Sequence, residues 1–114
     1  MAELLNTKAA LEMVGDERDL LKQLLEAYLQ DKPFDQDTLN SYVEQDNKLE
    51  AAKYVHYYKG AGRQLGAEQL GDAGQKLENV LRGKETGDVP TLIREFSSIY
   101  HHTVIAIKAV LSDF

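Results

Sequence analysis

Ala51-Ala52-Lys53-Tyr54-Val55-His56-Tyr57-Tyr58-Lys59-Gly60-Ala61-Gly62-Arg63-Gln64-Leu65-Gly66 reads as one helix with a histidine in its middle. Ala51, Val55, Tyr58, Gly62 and Leu65 recur at three- and four-residue spacings and form its inward stripe. His56 falls beside that stripe. Its neighbours one turn away are Ala52, Lys53, Lys59 and Gly60, and Arg63 lies two turns on. The spacing therefore predicts an exposed imidazole flanked by cations, with a glycine one turn ahead.

The rest of the chain repeats the helical period, and strand alternation is absent. A short amphipathic stretch over residues 7–14 is followed by Gly15 as a stop and Asp16 as an N-cap. Leu21, Leu24, Leu25 and Tyr28 predict a helix over residues 17–30, which Pro33 ends. Asp35 or Asp37 caps the next, with Leu39, Tyr42 and Val43 as its stripe and an end near Asn47. After the His56 helix, stopped at Gly66, come residues 67–83 with Leu70, Ala73, Leu77, Val80 and Leu81. A last helix is capped by Asp88, has Pro90 in its first turn, and carries Ile93, Phe96, Tyr100, Thr103, Ile107, Val110 and Phe114. That pattern predicts an all-α protein: an antiparallel up-down four-helix bundle with a short additional N-terminal helix or helix pair. The 114 residues are expected to form one domain, 1–114, with no linker or repeat.

Bulk composition excludes several classes. There is no cysteine, so disulfides and thiolate chemistry are out. The start, Met1-Ala2-Glu3-Leu4-Leu5-Asn6, has no signal-peptide pattern and no window is apolar enough to span a membrane, so a cytoplasmic, free-standing protein is expected. The formal net charge of −6 argues against nucleic acid as a partner. Residues 48–63 reverse the balance locally: Lys48, Lys53, Lys59 and Arg63 against Glu50 alone give +3. Without the histidine, such a run is an ordinary solvated helix face.

Three chemistries are open to an exposed histidine on a helix. A metal site needs a second histidine or a carboxylate at i+3 or i+4, and none is there. A general base needs an orienting carboxylate, and the local sequence offers none. A nucleophile needs only exposure to its donor and neighbours that tolerate the product. If the product is a phosphorylated ring, cations stabilise it, with Lys59 best placed and Lys53 and Arg63 behind it. Gly60 costs about 1 kcal/mol relative to alanine inside a helix. It reads as steric clearance beside the ring. The other readings are that Gly60 or Gly62 ends the helix or allows close packing. The unbroken period of Val55, Tyr58, Gly62 and Leu65 favours a continuous helix. His101 and His102 have no ligating neighbours and read as surface residues. Tyr54 and Tyr57 fall off the stripe and are candidates for a docking face.

His56-Tyr57-Tyr58-Lys59-Gly60, Leu65-Gly66-Ala67 and Leu70 resemble the signature of the histidine-phosphotransfer (HPt) domain family. Residues Val14-Gly15-Asp16-Glu17-Arg18-Asp19-Leu20-Leu21 and the pair Leu77-Glu78 are similar to flanking parts of the family pattern. The resemblance covers nearly the whole chain. It implies a phosphorelay carrier that takes a phosphoryl group from the aspartate of one receiver domain and passes it to another. His56 would be the phosphoacceptor, Lys59 its electrostatic helper and Gly60 the clearance position. Ala52, Lys53, Tyr57 and Arg63 would face the partner. The family usually has leucine where Tyr58 stands, a core position at which a hydroxyl needs a partner.

The same resemblance implies a phosphocarrier rather than an enzyme. It binds no cofactor of its own, and the divalent cation, magnesium, is supplied by the receiver. No nucleotide-binding glycine loop is present, so no ATP-dependent autophosphorylation is expected. The apolar stripes are all needed within one bundle, which predicts a monomer. Two other functions stay open: a receiver-binding module that transfers nothing, and a bundle hydrolase or metal protein. The presence of His56, Lys59 and Gly60 together argues against the first. The lack of a second catalytic group beside His56 argues against the second.

Overall fold

The computed structural model describes residues 4–114. The first three residues of the span read as one domain lie outside the described residues. Six helices account for the architecture, with no strand among the described residues: α1 (Thr7–Met13), α2 (Arg18–Gln30), α3 (Gln36–Glu44), α4 (Lys48–Arg63), α5 (Glu68–Leu81) and α6 (Val89–Ser112). The starts of α1, α3 and α6 follow from side-chain caps. The Asn6 side chain accepts from the Ala9 amide at 3.0 Å, Asp35 from Asp37 at 3.3 Å, and Asp88 from Thr91 at 3.2 Å. Pro90 occupies the first turn of α6, where an amide hydrogen has no helical partner.

One cap departs from expectation. Asp16 does not cap α2; Gly15 and Asp16 are both left-handed, with φ of 66° and 62°, and Glu17 precedes the helix without a side-chain cap bond. Asp tolerates this conformation because its short polar side chain is less hindered than most. Gly66 does end the α4 turn as expected, with φ of 78°.

The helices pack around two apolar clusters. The larger holds Phe34, Leu39, Ala51, Ala52, Val55, Tyr58, Leu70, Leu77, Ile93, Phe96 and Tyr100. Here α4 lies on α5, and α5 on α6. The Phe34 ring stands edge-on to those of Tyr58 and Phe96, with centroids 5.5 and 5.0 Å away. The smaller cluster joins Ala10, Leu21, Leu25, Leu65 and Ile107, so the N-terminal helices cover the distal half of α6. Tyr58 sits in the core as expected, and its hydroxyl donates to the Lys32 carbonyl at 3.0 Å.

Candidate functional site

Glycines set how closely α4 and α5 approach. A Cβ on Gly62 would stand 2.8 Å from Leu70 Cδ2, and one on Gly74 2.8 Å from Lys59 Cβ. Bare backbone at these two positions lets α5 lie close along α4. Gly60 differs: a Cβ there would meet nothing within 4 Å. Close packing therefore explains Gly62 and leaves Gly60 as bare surface one turn from His56, on an unbroken helix.

His56 projects from the middle of α4 with 61% of its side chain exposed. Its Nδ1 lies 3.1 and 3.2 Å from the two carboxylate oxygens of Glu78 on α5. Glu78 itself is buried. It also accepts from Lys59 Nζ at 2.8 Å and from Arg82 Nε at 2.9 Å. Burial pushes the Glu78 carboxyl up, but the hydrogen bonds from Lys59, Arg82 and His56 and the charge of Lys59 outweigh it and hold the group at about 2. At neutral pH it is an anion and accepts only. Nδ1 must then be the donor, which puts the lone pair of a neutral His56 on Nε2, on the side of the ring away from Glu78.

This corrects two expectations. A carboxylate does orient His56; it comes from 22 residues away on the facing helix and so is invisible to local spacing. Lys59 is not an exposed cation: it is 6% exposed and bonded to Glu78 and, at 3.1 Å, to Gln75. A signal for the pair was present. Lys59 continues an inward stripe with Ala52, Val55 and Gly62, and Glu78 follows Gly74 and precedes Leu81 on an apolar face. Charged residues on two facing buried stripes have to meet each other.

The remaining docking candidates divide. Tyr57 is 53% exposed, and its hydroxyl donates to Asp31 at the end of α2. Lys53 is exposed, 3.5 Å from Glu50, and Arg63 is exposed, 4.0 Å from Asp72. Ala52 is fully buried in the larger cluster and so offers no surface to a partner. Tyr54 is half-buried with its ring on Phe34 and its hydroxyl accepting from the Asp35 amide, so it belongs to the core edge. Two openings border α4. One is a 460 Å³ groove between α2 and α4 lined by Leu24, Ala27, Tyr28, Ala61, Gln64 and Leu65. The other is a 600 Å³ cleft lined by Leu49, Leu81, Arg82 and Lys84 that shares Glu78. His101 and His102 are exposed on α6. Among the described residues no three His, Cys, Asp or Glu side chains converge as a metal site would require. No helix of the described residues is long and apolar enough to cross a membrane.

The family model of the Hpt domain matches residues 10–112. The chain belongs to the Hpt domain family. An Hpt domain is a phosphotransfer module of two-component signalling, a phosphocarrier rather than an enzyme in the ordinary sense. No curated protein and no solved structure matches the chain.

Proposed function

We propose that this Hpt domain carries a phosphoryl group on His56 between the aspartates of two receiver domains in a multistep phosphorelay. The supporting observation is the His56–Glu78 pair. A buried, ionised carboxylate holds Nδ1, which leaves Nε2 as the nucleophile on a largely exposed ring, one turn from the open surface at Gly60.

The atoms and charges balance without a proton transfer. The Nε2 lone pair forms the N–P bond as the acyl O–P bond of the aspartyl phosphate breaks, and the aspartate leaves as a carboxylate. The ring keeps its Nδ1 hydrogen and becomes cationic. Glu78 accepts that hydrogen throughout, and the bond strengthens as the ring gains charge. A hydrogen bond to a charged group is worth about 1.5–3 kcal/mol, which is about 10- to 100-fold in rate if it develops fully in the transition state. Passing the group to a second aspartate reverses the same bonds.

In this reading Lys53, Tyr57, Arg63 and the α2–α4 groove meet the receiver. The receiver brings the acidic pocket and its divalent cation, expected to be magnesium. The chain works as one module of residues 1–114, a cytoplasmic monomer without ATP-dependent autophosphorylation. Short connections between successive helices support an up-down order for the longer ones.

The test is transfer from a radiolabelled, phosphorylated receiver domain in the presence of magnesium. Label should pass to this chain, resist base, be lost in acid and be absent from His56→Gln. Stable binding of phosphorylated receivers without any transfer would replace the carrier reading with that of a pure receiver-binding module.

A further inference from the structure

Of the two cations three residues from the phosphoacceptor, Lys59 is turned away from where the phosphoryl group would sit. Lys59 Nζ donates to Glu78 Oε1 at 2.8 Å and to Gln75 Oε1 at 3.1 Å. Its side chain is 8% exposed. The aliphatic stem lies in a slot that exists because residue 74 has no side chain: a Cβ there would stand 2.8 Å from Lys59 Cβ, 3.0 Å from Lys59 Cγ and 3.0 Å from Phe96 Cε1. The oxygen that accepts from Lys59 is also the one nearer to His56 Nδ1, at 3.1 Å. A phosphoryl group on Nε2 would be on the other side of the ring.

We propose, on the footing that His56 is the phosphoacceptor, that Lys59 is a positioning residue that fixes Glu78 under the ring and not a ligand of the phosphoryl group. Gln75 and Gly74 are the parts that hold Lys59 in that place. To reach a phosphoryl group, the ammonium would have to leave a buried carboxylate, and breaking a buried ion pair is costly. Lys53, exposed and one turn before His56, can meet an anion without that loss. Lys59 then acts on transfer only through Glu78, and its influence is present before any phosphoryl group arrives.

Two measurements separate this from direct phosphoryl contact. The first is the His56 ring observed by ¹⁵N–¹H NMR in the unphosphorylated protein. Lys59→Met and the milder Gln75→Ala should each move the Nδ1–H signal or broaden it by exchange. If both leave it in place while the fold is retained, the proposal is wrong. The second is a cycle of receiver-to-His56 transfer rates with Lys59→Met, Glu78→Ala and the double variant, which carries no unpaired member of the Lys59–Glu78 pair. Lys59→Met should slow transfer about tenfold alone, the order expected of a charge-assisted hydrogen bond. In the Glu78→Ala background it should change the rate by less than about twofold. An undiminished effect there would mean that Lys59 touches the phosphoryl group. If the unaltered chain takes up no label, the phosphocarrier reading falls, and the NMR arm still decides what holds Glu78.

Discussion

A buried carboxylate stays charged only where enough donors replace the water it has lost. Glu78 has three: Lys59, Arg82 and His56. Their combined effect sets a pH window. The carboxyl ionises near 4.5 in an unstructured chain and is held at about 2 in the folded one. A depressed carboxyl stabilises the fold fully above its unfolded value, and the contribution disappears as pH falls through the folded value. At neutral pH Glu78→Gln should therefore be the less stable protein. The gap should narrow from about pH 4.5 downward and be largely gone near pH 2. Thermal or urea unfolding of both proteins across that range measures it. A gap that stayed constant would mean that the Glu78 charge has no part in stability.

At the scale of one element, α4 uses its glycines for opposite ends. Alanine at position 60 gains helix propensity of up to about 1 kcal/mol, and its methyl meets nothing in the folded chain. Gly60→Ala should unfold at higher denaturant yet be no faster, and Gly60→Leu slower, in taking up phosphoryl from a receiver. Gly62→Ala gains the same propensity but drives its methyl to 2.8 Å from Leu70 Cδ2, so its stability should fall by about 1–3 kcal/mol, as overpacking does. Urea unfolding of the pair decides it; equal shifts would undo the distinction. The helix boundaries behind this contrast were legible in the sequence because caps such as Asp88 and stops such as Gly66 act within a few residues. Two things were not. Asp16 has the residue type of a cap, yet the turn from α1 needed its left-handed backbone. Lys59 lies about 100° round the helix from Tyr58, and the inward face proved wide enough to take both, because Gly74 on the next helix admits the lysine stem. Pairing across α4 and α5 depends on how two helices are set against each other, which neither helix's own period states.

The whole molecule hangs on α6, which is long enough to serve both clusters: Ile93, Phe96 and Tyr100 enter the larger, and Ile107 the smaller. Tyr28 of α2 packs at the edge of both, 6.4 Å from the Tyr100 ring. Its hydroxyl is buried without a hydrogen-bond partner among the described residues, and burial pushes its ionisation upward. An unpaired buried hydroxyl costs about 1–3 kcal/mol, whereas its ring contributes apolar packing on both sides. Tyr28→Phe keeps the ring and removes the cost. The variant should be more stable by about 1 kcal/mol, or roughly 4 °C in Tm for a domain of this size. Calorimetry of the two proteins tests it. A loss of stability on removing the hydroxyl would show that it has a partner in solution, and that the seam between the two clusters is polar rather than dry.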